Sequence, residues 1–243
     1  MKLGLIGFPL THSFSPRYIK DIFVKANIDH LHSYNLYPLE HEEQLRNFRV
    51  LKLDGFNVTI PYKEKIIPYL DCLSEEAKII GAVNCVKKEG NQYVGYNTDA
   101  YGFEKSLPSP EQYENPIHAL ILGTGGASKA VQYVLEKKEI PFTLIGRNTT
   151  PSYEEINKDT IRMHQLIVNT TPLGMYPDVD TFPSIPYQHL TKKHFLLDLV
   201  YNPKKTIFLG IGEAIGCKVQ NGLQMLKCQA DESLKIWGVI LKK

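Results

Sequence analysis

Residues 121–130, "ILGTGGASKA", decide how this chain is read. The residues up to the first glycine, "HALIL" (118–122), make a short apolar strand. After them, Ala127, Ala130, Val131, Val134 and Leu135 fall on one face of a helix. A second strand follows, "FTLIGRN" (142–148). Strand, glycine turn, helix and strand together form the βαβ unit of a dinucleotide-binding fold, with the spacing GxGGxxxA in place of GxGxxG. The first glycine, Gly123, permits the tight turn. Gly125 and Gly126 let backbone amides approach a pyrophosphate, and the positive end of the helix faces the phosphates. The strand and helix on either side are the context that the motif requires.

The end of the second strand bears on which dinucleotide is held. An NAD site places an acidic residue about 20 residues beyond the glycines, on the ribose hydroxyls. Here that place reads "LIGRN", and Arg147 stands where the acid would be. A guanidinium pairs with a 2′-phosphate that a carboxylate would repel. The residues favour NADP. "LIVNTTPLGM" and "HFLLDLVYN" follow as further buried strands, and the last helix, "NGLQMLKCQADESLKIWGVI", aligns Leu223, Leu226, Ala230 and Leu234.

The first hundred residues also alternate strand and helix, as an α/β layer structure does. "KLGLIGF" (2–8) and "HSYNLYPL" (32–39) read as strands. Between them, Ser15-Pro16 reads as a helix N-cap with proline at the first helical position. Ile19, Ile22, Phe23 and Ala26 form the apolar face of that helix. Ser13 is left without a structural reason. "GFNVTIPYKEKIIPYL" begins as a strand and is expected to turn helical after Pro61. "NCVKKEGNQYVGYN" is a hairpin with Glu89-Gly90-Asn91 at its turn. The proline-rich "LPSPEQYENP" (107–116) marks a loop or a boundary.

Bulk properties exclude several classes. The 243 residues are 43% hydrophobic and 22% charged, with 28 basic and 26 acidic residues well mixed. That argues against a nucleic-acid groove or a membrane surface. The chain opens directly on a strand pattern, so neither a signal peptide nor a membrane span is expected. Cys72, Cys85, Cys217 and Cys228 form no CxxC pair and are expected to be free thiols in a reducing cytoplasm. The histidines show no ligand spacing, and no metal site is expected.

Alternation along "GFNVTIPYKEK" puts Asn57 and Thr59 on one strand face, with Lys63 at the following turn. "GYNTDAYG" does the same for Asn97 and Asp99. A polar face on a buried strand needs partners, because each unpaired buried polar group costs about 1–3 kcal/mol. Taken singly, Lys63 with Glu64 and Lys65 could be a solvated helix start, and Asp99 could be a helix cap. Together they are a polar set at strand ends.

In its ordered motifs the whole chain resembles the shikimate dehydrogenase family. "HSFSP" is similar to HSxSP, "NVTIPYK" to NVTxPxK, "GAVN" to GAxN and "NTDAYG" to NTDxxG. "GTGGASKA" is similar to GxGGAxxA and "NTTPLGM" to NxTPxGM, and "DLVYNPKKTIFL" and "GLQMLKCQA" resemble the two C-terminal signatures. The resemblance implies an α/β protein with an N-terminal α/β substrate domain, a Rossmann-like dinucleotide-binding domain and a cleft between them. The substrate domain would be discontinuous, 1–101 with 221–243, around an NADP-binding domain at 102–220. Ser13, Ser15 and Tyr201 would hold a substrate carboxylate. Thr59, Lys63, Asn84, Asp99 and Gln229 would surround ring hydroxyls, with Lys63 and Asp99 as the catalytic pair. Gly123, Gly125, Gly126, Ala127, Arg147, Thr170 and Gly222 would cradle NADP.

The implied activity is NADP-dependent interconversion of 3-dehydroshikimate and shikimate by a cytoplasmic enzyme, with a homodimer left open. An NAD-using quinate/shikimate dehydrogenase, or a non-catalytic ligand-sensing relative, would share most motifs. The chain departs from the pattern in two places. Tyr18-Ile19-Lys20 replaces the end of HSxSPxxHN, and no second arginine follows Arg147.

Overall fold

The computed structural model describes residues 1–11, 14–109 and 117–239. Ser13 therefore lies outside the described residues. The chain divides into two compact units, Met1–Gly102 with Lys227–Lys243, and Phe103–Leu226.

The first unit is built on a mixed sheet. Strand β1 (Lys2–Gly7) pairs in parallel with β2 (Ser33–Pro38) on one side and β3 (Gly55–Val58) on the other. β3 then pairs antiparallel with β5 (Cys85–Glu89), and β5 with β6 (Gln92–Tyr96). The short β4 (Cys72–Leu73), followed by the helix α2 (Glu75–Ile80), closes the edge in parallel with β6, giving the order β2-β1-β3-β5-β6-β4. The Glu89–Gln92 pair sets Gly90-Asn91 as a two-residue turn, the loop length that favours a tight hairpin. One sheet face packs Leu3 and Leu5 against Ile19 and Phe23 of α1 (Ser15–Lys25) and Leu234 and Trp237 of α7 (Leu223–Trp237). The other face packs Ile6, Phe56 and Val58 against Leu45 and Phe48, from the 3-10 stretch Glu42–Leu51.

Three local expectations are corrected. Ser15 is not the cap of α1: the helical backbone already includes Phe14, which is the N-cap and makes no side-chain cap bond. Pro16 thus sits in the first turn, where its missing N–H has no intrahelical partner to lose. The chain after Pro61 does not become an α-helix. Its turns end in a three-residue 3-10 segment, Ile67–Tyr69, because Pro68 interrupts the run. Thr59 and Asp99 lie beyond the ends of β3 and β6, so strand alternation does not aim them. Asp99 is the first residue of α3 (Asp99–Ser106), and Asn97 Oδ1 accepts from the Ala100 N–H at that helix start.

The second unit holds an all-parallel sheet, β11-β10-β9-β7-β8. Its strands are β7 (Ala119–Leu122), β8 (Phe142–Ile145), β9 (Leu166–Asn169), β10 (Phe195–Asp198) and β11 (Lys218–Gln220). The helices α4 (Gly126–Lys137), α5 (Lys158–Met163) and α6 (Ile207–Ile215) connect them. The strands β7, β9 and β10 read as continuous apolar runs and are buried along their length, as parallel strands covered on both faces must be. Chain order reverses between β7 and β9, the switch point where doubly wound sheets bind ligands. Gly222 to Leu226 belong to this unit. The Gly222 N–H donates to Val200 O at 3.1 Å, and Gln224 Nε2 donates to Lys105 O at 2.6 Å. No helix among the described residues is long and apolar enough to cross a membrane.

Asp198, at the end of β10, is fully buried. It accepts from Thr206 Oγ1 (2.5 Å), Asn169 Nδ2 (2.9 Å) and the Val200 N–H (3.0 Å). Burial pushes its carboxyl up to about 6, and the three hydrogen bonds only partly offset it. A carboxyl raised on folding is ionised in the unfolded chain while still protonated in the folded one. Stability is therefore lost as pH rises from about 4 to about 6, by roughly 2–3 kcal/mol. Asp198→Asn keeps an acceptor toward Val200 and Asn169, and turns an N–H toward Thr206. Urea unfolding across pH 4–7 should show that decline in wild type and lack it in Asp198→Asn. Parallel pH profiles would refute the assignment.

Candidate active site

In the first unit, strand direction collects the polar set at one end of the sheet. β1, β3 and β6 end there, and the antiparallel β5 starts there. Backbone bonds lock the connecting turns: Thr59 N–H to Ile6 O (2.9 Å), Val58 N–H to Asn84 O (2.9 Å) and Val83 N–H to Lys63 O (2.7 Å). Against this frame Lys63 Nζ donates to Asp99 Oδ2 at 2.7 Å. The two side chains are 16% and 8% exposed, which leaves a screened ion pair with one edge open to solvent. Asp99 stands in the first turn of α3, where the helix dipole favours a negative charge. Lys65 is turned elsewhere, to Glu42 at 2.6 Å, with 44% of its side chain exposed. Among the three charged residues of "KEK", the ion pair with Asp99 belongs to Lys63.

Beside this pair lies a buried polar network. Asn84 Oδ1 accepts from the Thr98 N–H at 2.6 Å, so its amide nitrogen faces Thr98 Oγ1 (2.9 Å) and Gln229 Oε1 (3.3 Å). Asn57 is oriented just as firmly. Its Nδ2 donates to the carbonyl of Asn84 (3.0 Å) and to Ser233 Oγ (2.9 Å), so its Oδ1 receives the Tyr34 hydroxyl at 2.8 Å. Burial pushes the Tyr34 phenol well up, which keeps it a donor. Reading by alternation passed over Tyr34, Thr98 and Ser233. Ser233 stands one helical turn after Gln229 on α7, and that i, i+4 spacing was the available signal. Ser15 is half-buried at the head of α1, and Thr59 is half-buried after β3.

In the second unit Gly123 has φ +112°, and a Cβ there would lie 2.6 Å from Thr170 Oγ1. Only glycine makes that turn. Thr170 Oγ1 in turn donates to Leu122 O at 2.7 Å, which joins the end of β9 to the glycine turn. Gly125 is the N-cap of α4, with open space around its Cβ position and no acidic residue in the first helical turn. Gly126 and Ala127 open the helix, half-buried. At the end of β8, Gly146 approaches Thr124 so closely that a Cβ would lie 2.5 Å from its methyl group. That packing brings the exposed Arg147 beside the glycine turn. The Tyr153 hydroxyl is buried with no hydrogen-bond partner, and burial pushes its pKa up, with the Arg147 charge opposing the shift. An open helix N-terminus with a nearby cation fits a phosphate-bearing nucleotide. Tyr201 is half-buried after β10. Gly222 is held by close packing, since a Cβ would run into the carbonyl of Leu199. Among the described residues, no three His, Cys, Asp or Glu side chains gather as a metal-ligand group.

A doubly wound unit with a nucleotide turn at its switch point, following in sequence a mixed-sheet unit that carries a screened lysine–carboxylate pair, defines a dinucleotide-dependent oxidoreductase. Residues 5–86 match the family model of the shikimate dehydrogenase substrate binding domain. The chain is 39% identical to a Clostridium beijerinckii shikimate dehydrogenase (NADP(+)), over 96% of this chain and 90% of that one. It superposes with a TM-score of 0.86 on shikimate dehydrogenase 1 from Peptoclostridium difficile, at 37% identity, covering 100% of this chain and 93% of that one. The Thermus thermophilus shikimate 5-dehydrogenase in complex with NADP(H) and shikimate gives a TM-score of 0.84 at 29% identity, covering 100% and 95%. The chain belongs to the shikimate dehydrogenase family.

Proposed function

We propose that this chain catalyses the reversible, NADPH-dependent reduction of 3-dehydroshikimate to shikimate. The observation that carries the reading is the screened Lys63–Asp99 ion pair at 2.7 Å, at the sheet end where β3 and β6 finish. Reduction of a ring ketone develops negative charge on its oxygen and needs a proton there. Lys63 is the residue type for both tasks: its ammonium stabilises the alkoxide and gives it a proton. Asp99 holds that ammonium in place and accepts a hydrogen bond from an adjacent ring hydroxyl. Thr59 and Gln229 supply further hydroxyl and amide partners to the ring. Asn84 gives up its longest contact, the 3.3 Å bond to Gln229, for a substrate hydroxyl. Ser15, and Ser13 before it, donate to the substrate carboxylate. In this reading Met1–Gly102 with Lys227–Lys243 is the substrate unit and Phe103–Leu226 the cofactor unit.

The residues around the glycine turn suit NADP. Gly123 to Ala127 and the α4 N-terminus take the pyrophosphate, Thr170 lines the turn, and Arg147 takes the 2′-phosphate. Bound NADPH supplies the hydride. The deciding assay compares shikimate with quinate as substrate, and NADP⁺ with NAD⁺ as oxidant. Shikimate with NADP⁺ should give the highest kcat/KM, and a preference for quinate with NAD⁺ would overturn the reading.

Cofactor selectivity should be moderate. A charge-assisted bond contributes about 1.5–3 kcal/mol, roughly a 10- to 150-fold effect. Arg147 is the single cation of the "GRNTTPSYEE" stretch and is exposed. The preference for NADP⁺ over NAD⁺ is therefore expected to be tens-fold and to fall as salt rises. Arg147→Ala should remove most of it by weakening NADP⁺ use while NAD⁺ use stays nearly constant. Equal losses with both cofactors would assign Arg147 a structural role.

A further inference from the structure

Thr98 is buried to 1% exposure and immediately precedes Asp99 in the chain. Its N–H donates to Asn84 Oδ1 at 2.6 Å, and its hydroxyl accepts from Asn84 Nδ2 at 2.9 Å. The same hydroxyl lies 3.2 Å from Ser233 Oγ and 3.4 Å from Gln229 Oε1. Ser233 donates its own proton to Gln229 O at 2.9 Å and accepts from Asn57 Nδ2. A hydroxyl has one proton to give, so at the Thr98–Ser233 contact Thr98 is the donor. The amides of Asn57 and Asn84 then each have a single orientation, and the Thr98 proton has three acceptors around it, Ser233 Oγ, Asn84 Oδ1 at 3.2 Å and Gln229 Oε1. Such a saturated buried network is stiff. Thr98 is its junction, touching the Asn84 and Gln229 amides and adjacent in the chain to Asp99.

We propose that Thr98 is a positioning residue, which without touching substrate sets the aim of the Asn84 and Gln229 amides and of the Asp99 carboxylate against Lys63. The proposal rests on the reading of those side chains as the substrate site. Valine has nearly the shape of threonine but no hydroxyl. Thr98→Val would leave one Asn84 N–H without its acceptor and Ser233 with only the Asn57 donor, and residues 97–99 would shift to compensate. Misplacement of reacting groups by about 1 Å costs about 10²-fold in rate.

The test measures steady-state kinetics, calorimetric shikimate binding and thermal unfolding of Thr98→Val and Thr98→Ser. Thr98→Val is expected to lower kcat/KM for shikimate by about 10- to 100-fold. Its KM should rise, its shikimate affinity should fall, and its NADP⁺ affinity should stay unchanged. Thr98→Ser, which restores the hydroxyl, should recover most of the loss. A residue that serves stability alone would lower the melting temperature and leave the constants per folded molecule unchanged. That result overturns the proposal, as does a serine variant no better than valine. If Thr98→Val does not fold, Ser233→Ala carries the test, because it removes the contact that ties the Thr98 hydroxyl to α7 and Asn57, and unchanged shikimate affinity there also overturns the proposal. Gln229→Ala and Asp99→Asn separate the two levels. If both keep wild-type shikimate kinetics, the site reading fails and the proposal falls with it. If both are impaired while Thr98→Val is not, only the proposal fails.

Discussion

Lys63→Ala is expected to lower kcat/KM for shikimate by about 10²-fold or more, the range for losing a positioned acid–base group. The backbone of Lys63 is held by the Val83 N–H at 2.7 Å, so truncation leaves the turn in place. What is lost is the partner of Asp99, whose side chain is only 8% exposed. An uncompensated carboxylate at that depth destabilises the unit, so activity must be normalised to folded protein by circular dichroism. Lys63→Gln retains a donor toward Asp99 but no acidic proton, and should fold better while remaining as slow. Lys65→Ala is the control. Its ammonium is paired with Glu42 at the surface, so its loss should leave turnover near wild type. A Lys63→Ala enzyme with near wild-type turnover would remove the proton-donor role.

The second large effect is on stability. Trp237 is the chain's single tryptophan and the last residue of α7. It is buried beside Tyr34, with ring centroids 6.2 Å apart, and its indole N–H donates to Val86 O at 2.9 Å. It joins the C-terminal helix to β5 in the middle of the mixed sheet. Trp237→Ala should cost about 3–5 kcal/mol, the usual range for emptying a buried aromatic site. Because α7 carries Gln229 and Ser233, shikimate affinity should fall before cofactor affinity does. Urea unfolding followed by circular dichroism measures the first effect, and a loss under about 1 kcal/mol would show that the site refills. Trp237→Phe should recover a good part of the stability, lacking the bond to Val86.

The second unit was the more legible half. A glycine turn between a strand and a helix is a local signal, and so is a strand that is apolar along its whole length. Both are carried by neighbours a few residues apart. The hairpin at Gly90-Asn91 was legible for the same reason. Alternation failed at Thr59 and Asp99 because β3 and β6 end before them, and strand ends follow from pairing partners. It also said nothing about which face Asn57 uses. Asn57 points toward α7 because Ser233 and Tyr34 wait there to satisfy its amide. The Ser15 cap was misread because the dipeptide Ser-Pro fits a helix start in two registers, with proline at the first or the second position of the first turn.

By itself the sequence determined the kinds of chemistry present: a phosphate-accepting turn at Gly123–Ala127, a cation at Arg147, and a lysine and a carboxylate at strand ends. These are set by residue type and by spacings of a few positions, which the periods of helix and strand convert directly into geometry. The tertiary structure alone decided which groups meet. Lys63 finds Asp99 across 36 residues, and Asn57 finds Ser233 across 176. No local period encodes such separations. They arise because burying both faces of the mixed sheet requires α7 to pack back onto β1 and β3, and the polar groups it brings are paired there, because unpaired burial is costly.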